Sequence, residues 1–201
     1  MPFHVDVSFK AKYSPRIAAE NKAMSDLHKQ MIQHRDEILF GSKPYGLRVD
    51  PESVPKTAQV ISSHKKLYDF VPADFRNLVT RAFIDKVEEM EPSVHQFFPV
   101  ELRMKSNELS DRDYWFLNVC HRTDAIDANK SVLIQTGDAY FKHGVGLGVE
   151  PKLVFRKAEI EGKCMWIDRR FTAGFFVSDE LMEFMEEEKM KELDKWEVFA
   201  E

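Results

Sequence analysis

Residues 114–121, with the sequence YWFLNVCH, most strongly constrain the fold because they are apolar on both faces over most of their length. Such a strand must be covered on two sides, which favours the middle of a sheet. Residues 97–104 instead alternate between apolar and polar side chains, as in a strand with one buried face. The apolar face consists of Phe98, Val100, Leu102 and Met104. Because the polar turn 106–111 joins the two segments, the sequence predicts a pair of central strands.

Helical spacing of apolar residues occurs in three places. Residues 15–39 form a thin apolar stripe behind Ser14, a suitable cap, and this predicts a long N-terminal amphipathic helix. A second stripe runs over residues 75–90 and stops before the helix-breaking Pro92. Residues 178–180, a serine followed by two acids, are typical of a helix start.

These patterns, with further short apolar segments, predict an α+β fold. Its mostly antiparallel central sheet has flanking helices. Residues 41–56 are rich in glycine and proline and mark the best candidate boundary. We therefore expect residues 1–60 to form a strand–helix extension packed on an α+β domain of residues 61–201, together one compact unit. A chain of 201 residues can bury roughly 70% of its unfolded surface in one core.

Charge and hydropathy exclude several function classes. The net charge of −5 argues against nucleic acid as a partner, because phosphate binding needs a concentrated basic face. The first residues lack a signal-peptide pattern, and no apolar run approaches the roughly 18 residues of a membrane span. The expected location is cytoplasmic, where Cys120 and Cys164 would be reduced, buried thiols.

Reactive side chains concentrate between His95 and Asp127, but no complete catalytic or metal motif appears there. In a strand, Cys120 and His121 would point to opposite faces and could not pair. His95 could still approach Cys120 from a neighbouring strand, which leaves a cysteine hydrolase open. The histidines and cysteines match no zinc-binding spacing, so we expect neither a metal nor a cofactor.

Three longer segments, taken in order, resemble one bacterial family. They are YDFVPADFRNLVTRAFIDKVEEMEPSVHQFFPVEL, YWFLNVCHRTDAID and LVFRKAEIEGKCMWIDRRFTAGFFVSDELMEFMEE. In order and spacing they are similar to immunity proteins of polymorphic toxin systems, a family formerly known only as a domain of unknown function. The resemblance covers residues 68–199. It implies a non-enzymatic protein that binds and neutralises a cognate toxin protein, and it carries over no functional residues.

Candidate contacts with a partner come from loop composition. The sequence DRRF places Arg169 and Arg170 beside Phe171, which we expect to be exposed, and arginines with aromatic residues are enriched in binding hot spots. The glycine-containing loop near residues 140–150 adds Tyr140 and His143.

Two alternatives to toxin binding stay open from the sequence. One is a cysteine-dependent hydrolase that uses Cys120 with His95. The other is a structural protein of a secretion or phage-like apparatus. The sequence also leaves a homodimer open.

Overall fold

The computed structural model describes residues 2–6, 17–19, 46–63, 66–71, 73, 76–132, 134–136, 139–141, 152–171, 174–190 and 194–201. Strands dominate this mixed α+β fold, and its helices are few and short. The strands are β1 (Phe3–Asp6), β2 (Ile17–Ala19), β3 (Thr57–Val60), β4 (Phe70–Val71), β5 (Leu78–Val79), β6 (Gln96–Arg103), β7 (Tyr114–Asn118), β8 (Arg122–Thr123), β9 (Ile134–Thr136), β10 (Ala139–Phe141), β11 (Val154–Phe155), β12 (Met165–Asp168), β13 (Phe175–Val177), β14 (Asp194–Glu197) and β15 (Phe199–Ala200).

The largest sheet has six strands in the order β2-β3-β6-β7-β5-β4. Its two middle strands are the pair predicted from the sequence, with Phe98 opposite Phe116 in an antiparallel register. Both faces of β7 are covered, since Tyr114 and Leu117 are buried together with Phe116. Strand β6 has one buried face and an exposed Glu101 on the other. The prediction of a central, doubly covered strand is confirmed.

A second sheet of five strands has the order β14-β1-β13-β12-β8. The N-terminal strand β1 pairs with both β13 and β14, so the chain's first strand lies inside this sheet. Of the eleven strand pairings in the described residues, eight are antiparallel. The parallel pairings join β3 to β6, β8 to β12 and β11 to β15.

The helices are α1 (Arg81–Met90), α2 (Lys157–Ile160) and α3 (Asp179–Glu187). Helix α1 ends before Pro92 as predicted, but the predicted start near residue 75 is wrong. Leu78 and Val79 instead form β5, which pairs with β4 and β7. The spacing of these apolar residues fits a helix and a strand equally well. Pairing with two neighbouring strands is what makes them a strand.

The predicted long N-terminal helix is also wrong where the structure tests it. Residues Ile17–Ala19 form β2, which pairs with β3 through Ile17 opposite Val60. The rest of the predicted helix, residues 15–16 and 20–39, lies outside the described residues. As a strand, these residues pair with the six-stranded sheet and Ile17 is buried. A helix formed by the same residues could not pair with the sheet.

Three buried clusters make up the core. The first lies between α1, α3 and strands of both sheets, and includes Phe83, Val87 and Leu181. The second packs on the other side of the six-stranded sheet around Tyr114 and Phe116. The third is centred on an aromatic group in which Phe155, Trp166 and Phe176 contact one another; it also contains Ala125, Ile126, Leu153, Ile160, Phe171 and Val198.

Gly46 and Gly162 provide a matched test of backbone packing. Both have positive φ, but a Cβ at Gly46 would lie 2.6 Å from the Arg122 Cβ, whereas nothing lies within 4 Å at Gly162. We expect Gly162→Ala to lower the free energy of unfolding by about 1 kcal/mol, the usual left-handed penalty. Gly46→Ala should lower it by about 3 kcal/mol because the overlap adds to that penalty. Urea unfolding measures both, and equal losses would contradict the close approach.

Candidate functional site

A cluster of titratable side chains lies where the end of α1 meets both large sheets. Glu91 caps α1 and donates its backbone N–H to the Val87 carbonyl at 2.8 Å. His95 directly precedes β6, His121 follows β7, and Cys164 directly precedes β12. The fold therefore brings together side chains that are up to 73 residues apart in sequence.

The Glu91 carboxylate accepts hydrogen bonds from three of these positions. Oε2 accepts from His95 Nε2 at 3.1 Å and from the backbone N–H of Cys164 at 2.8 Å. Oε1 accepts from His121 Nε2 at 2.7 Å. The two imidazole rings lie edge to face with centroids 5.5 Å apart. Only 7% of Glu91 is exposed, so these donors replace water around the carboxylate.

Burial and hydrogen bonding act in opposite directions on the pKa of Glu91. Burial alone would raise this pKa, because it disfavours the charged form. The hydrogen bonds from His95, Cys164 and His121 stabilise the anion, and together they lower the pKa to about 2. The cluster is therefore organised around a buried carboxylate that is ionised at neutral pH.

His95 has a fixed tautomer because both ring nitrogens are engaged. The backbone N–H of Cys120 donates to Nδ1 at 3.1 Å, so Nδ1 must carry a lone pair. The ring proton then lies on Nε2 and points at Glu91. Neither nitrogen is available as a general base for a thiol.

The predicted pairing of the Cys120 thiol with His95 is not formed. Only the backbone of Cys120 contacts the imidazole, while its Sγ lies 3.6 Å from Gln96 Oε1 and 3.4 Å from the Asn118 carbonyl. Burial raises the pKa of the Cys120 thiol. Thiolate nucleophiles need a lowered pKa, so this geometry does not provide one.

Glu91, His95 and Cys164 place three ligand-type atoms within 4.8 Å of one another, which is a residue set found in zinc sites. Cys164 Sγ lies 3.9 Å from His95 Nε2. A metal at this point would need a lone pair on Nε2, but that nitrogen carries the ring proton. Burial also raises the pKa of the Cys164 thiol, which keeps the sulfur protonated at neutral pH. The arrangement fits a closed hydrogen-bonded cluster better than a metal centre.

A cavity of about 390 Å³ lies beside this cluster, between the ends of α1 and α3. Cys164 lines it together with Gly162, Ser178 and acidic residues of both helices. The thiol is only 2% exposed and has a raised pKa, so the cavity does not present a reactive sulfur. Among the residues that line the cavity, no nucleophile is paired with a base.

Sequence reasoning missed Glu91, although one signal was present. An acid at the C-terminal end of a helix meets the negative end of the helix dipole, which is unfavourable unless other donors compensate. Glu88 and Glu89 precede it without any basic residue in the last turn. That unusual placement marks Glu91 as a residue with a specific partner.

Arg169 and Arg170, two of the predicted partner-binding residues, lie in the turn after β12. Arg169 Nη2 lies 2.6 Å from Asp124 Oδ2, and Arg170 Nε lies 2.8 Å from Asp124 Oδ1. The Arg169 side chain is 50% exposed, and that of Arg170 is 18% exposed. The turn therefore contacts the loop after β8.

Phe171 does not accompany the arginines on the surface. The expectation that it is exposed is wrong, because only 5% of the residue is accessible and its ring packs 5.3 Å from that of Phe176. Because the chain turns at this point, the aromatic side chain that follows the two arginines can point into the core. Phe171 anchors the turn in the third core cluster.

Tyr140 and His143 fall between Val132 and Lys152 in the sequence. Val132 and Lys152 pair with each other through two backbone hydrogen bonds of 2.7 and 2.9 Å. Tyr140 lies on β10 opposite Gln135 of β9. His143 and the glycine-containing loop lie outside the described residues. Whether any of the five predicted residues contacts a partner stays a prediction.

The Glu91 carboxylate should make stability depend on acid. Because its folded pKa lies near 2 and its ordinary value is 4.5, the stabilisation is complete above pH 4.5 and is lost as the pH falls toward 2. The shift corresponds to about 3 kcal/mol. We expect Glu91→Gln to lower the free energy of unfolding at pH 7 by about that amount and to flatten its acid dependence below pH 4.5.

The matched control is Glu88→Gln on the same helix. Glu88 also accepts a backbone hydrogen bond, from Ser93 at 2.9 Å, but in an exposed position. This variant should change stability by less than about 1 kcal/mol and keep the wild-type acid profile. Urea titrations at several pH values compare the two variants. An unchanged acid profile in Glu91→Gln would rule out the ionised carboxylate.

Comparison with known proteins identifies the family. The model of the Immunity protein family (Imm11) matches residues 2–199, including the N-terminal segment outside the resemblance seen in the sequence. No curated protein matches the chain significantly. None of the helices among the described residues could cross a bilayer. The family suggests a toxin-immunity role, and immunity proteins are generally non-enzymatic. The chain belongs to the Imm11 immunity protein family.

Proposed function

We propose that this protein neutralises a cognate toxin of a bacterial polymorphic toxin system by binding it, in the cytoplasm of the cell that makes both. The family match over residues 2–199 carries this proposal. Inhibition requires no chemistry from the inhibitor, only a complementary surface that blocks or locks the toxin. A stable complex of this kind buries at least about 1,200 Å².

The chemistry of the buried cluster supports binding rather than catalysis. Glu91 holds both histidines through their Nε2 atoms, and the Cys120 thiol faces amide and carbonyl oxygens. A cysteine hydrolase would need an imidazole lone pair beside a thiol. Both nitrogens of His95 are engaged, and among the described residues no thiol is hydrogen-bonded to the His121 ring. We therefore assign the cluster to stability and place toxin contact elsewhere.

The proposed contact surface includes Arg169 and Arg170, together with Tyr140 and His143. Phe171 takes part by holding the arginine turn in place. We also propose that the N-terminal extension and the domain of residues 61–201 act as one unit. The pairing of β1 with β13 and of β3 with β6 supports that assignment.

Co-expression with the toxin-like protein encoded beside this chain's gene tests the function. We expect the wild-type chain to restore growth and to co-purify with an inactivated form of the toxin. Cys120→Ser should protect as well as the wild type, because its thiol has no base and Ser preserves a small polar group. Growth curves and affinity capture provide the measurements.

The outcomes separate the alternatives. Wild-type chain that gives neither rescue nor a complex would contradict the toxin-binding proposal. Loss of protection in Cys120→Ser, with unchanged thermal unfolding, would favour the hydrolase instead. Large homo-oligomers that form without any toxin would favour a structural protein of a secretion or phage-like apparatus.

A further inference from the structure

Three arginines converge on the loop that contains Asp124, at the edge of the third core cluster. Arg156 precedes α2, whereas Arg169 and Arg170 follow β12, and all three approach the loop residues Asp124 and Ile126. Arg156 donates from Nη2 to the Asp124 carbonyl and from Nη1 to the Ile126 carbonyl, the latter at 3.2 Å. Arg170 Nη2 donates to the same Ile126 carbonyl at 2.6 Å. We call these three residues and Asp124 the arginine cluster.

The backbone under the arginine cluster is held firmly. The Arg156 N–H donates to the Ala125 carbonyl at 2.8 Å, and the Arg169 N–H to the Thr123 carbonyl at 2.9 Å. Beneath them, the buried Asp168 carboxylate accepts from the backbone N–H groups of Ala125 and Ile126 at 2.6 and 3.1 Å. A surface held in this way loses little conformational entropy on binding, which favours affinity.

The arginine cluster carries excess positive charge on an acidic chain. Arg169 and Arg170 pair with the Asp124 carboxylate, and Arg170 Nε also lies 3.9 Å from the buried Asp168 carboxylate. Arg156 instead donates to two backbone carbonyls, so it adds a positive charge here, although the chain as a whole carries −5. Arg156 is exposed and the Arg169 side chain is half exposed, so this charge faces solvent.

Apolar surface adjoins the arginine cluster. Phe199 is 37% exposed under Lys152, whose Nζ lies 5.1 Å from the ring centroid, and Val132 is 46% exposed. The Phe199 N–H donates to the Leu153 carbonyl, and Val132 pairs with Lys152. Leu153 and Lys152 lie three and four residues before Arg156. Arginines beside a partly exposed aromatic ring match the composition of interface hot spots.

We propose that the arginine cluster binds carboxylate side chains on the surface of the cognate toxin. This rests on the proposed function and names the chemistry of its partner. Guanidinium groups bind carboxylates through two parallel hydrogen bonds, and such pairs are strong when water is excluded. The Asp124 carboxylate in the middle of the cluster repels a phosphate backbone but accepts an amide or basic donor, so a protein surface with mixed charges fits better than nucleic acid.

Charge reversal at Arg169 tests the assignment against a matched control. Arg169 and Arg81 are both exposed arginines paired with an exposed acid, Asp124 and Asp85 respectively. Each variant should therefore fold like the wild type. With the inactivated neighbouring toxin as the probe, Arg169→Glu should weaken the complex about 100-fold and Arg169→Ala about 10-fold, whereas Arg81→Glu should change it less than about 2-fold.

The outcomes distinguish this inference from the proposed function. If the wild-type chain does not bind the toxin, the proposed function fails. If the wild type binds and Arg169→Glu binds equally well, the function stands and the arginine cluster is not the contact. If the wild type instead binds a 20-base-pair DNA or RNA duplex and Arg169→Glu abolishes that binding, the cluster recognises phosphate and the assignment to a protein partner is wrong.

Discussion

The ionised carboxylate of Glu91 is the interaction on which the central part of the structure depends. It lies at the end of α1, where the helix carbonyls repel a negative charge, and burial removes the water that would stabilise it. Donors from His95, His121 and the Cys164 backbone compensate both effects. These donors come from the start of β6, the end of β7 and the start of β12. One carboxylate thus fixes the helix against both large sheets, and any loss of it leaves several buried donors without an acceptor.

The same interaction limits the chemistry that these histidines and cysteines can support. Catalysis by a thiol needs an imidazole with a free lone pair, and metal binding needs the same. The Cys120 amide occupies Nδ1 of His95, and Glu91 fixes its proton on Nε2. His121 donates to Glu91 through Nε2, and among the described residues no thiol is hydrogen-bonded to its ring. A group of histidines, cysteines and an acid can therefore serve as a polar part of the core, and only the pattern of donors and acceptors separates this role from an active site.

The sequence predicted what local periodicity determines and failed where distant pairing decides. Strand β6 was predicted from its alternating apolar residues, and β7 from its continuous apolar run. The end of α1 was predicted from Pro92. The starts of two helices were wrong, since Ile17 and Leu78 pair with distant strands and a single sequence contains no record of those partners. Glu91 was missed for a related reason, because its donors lie as far as 73 residues away. The turn with Arg169 was predicted as a candidate contact, but only the parallel pairing of β8 with β12 brings it to the loop around Asp124.

The buried contacts of these loops and their exposed arginine side chains use different atoms. Asp168 holds the turn and the loop after β8 through backbone N–H groups, and Arg156 and Arg169 join that loop through their own backbone amides. Every residue except proline can supply such an amide, so the exposed ends of these arginine side chains can change without altering the path of the chain. Phe171 adds a buried anchor below them. A fold built in this way can keep one buried framework while the charges on its surface change.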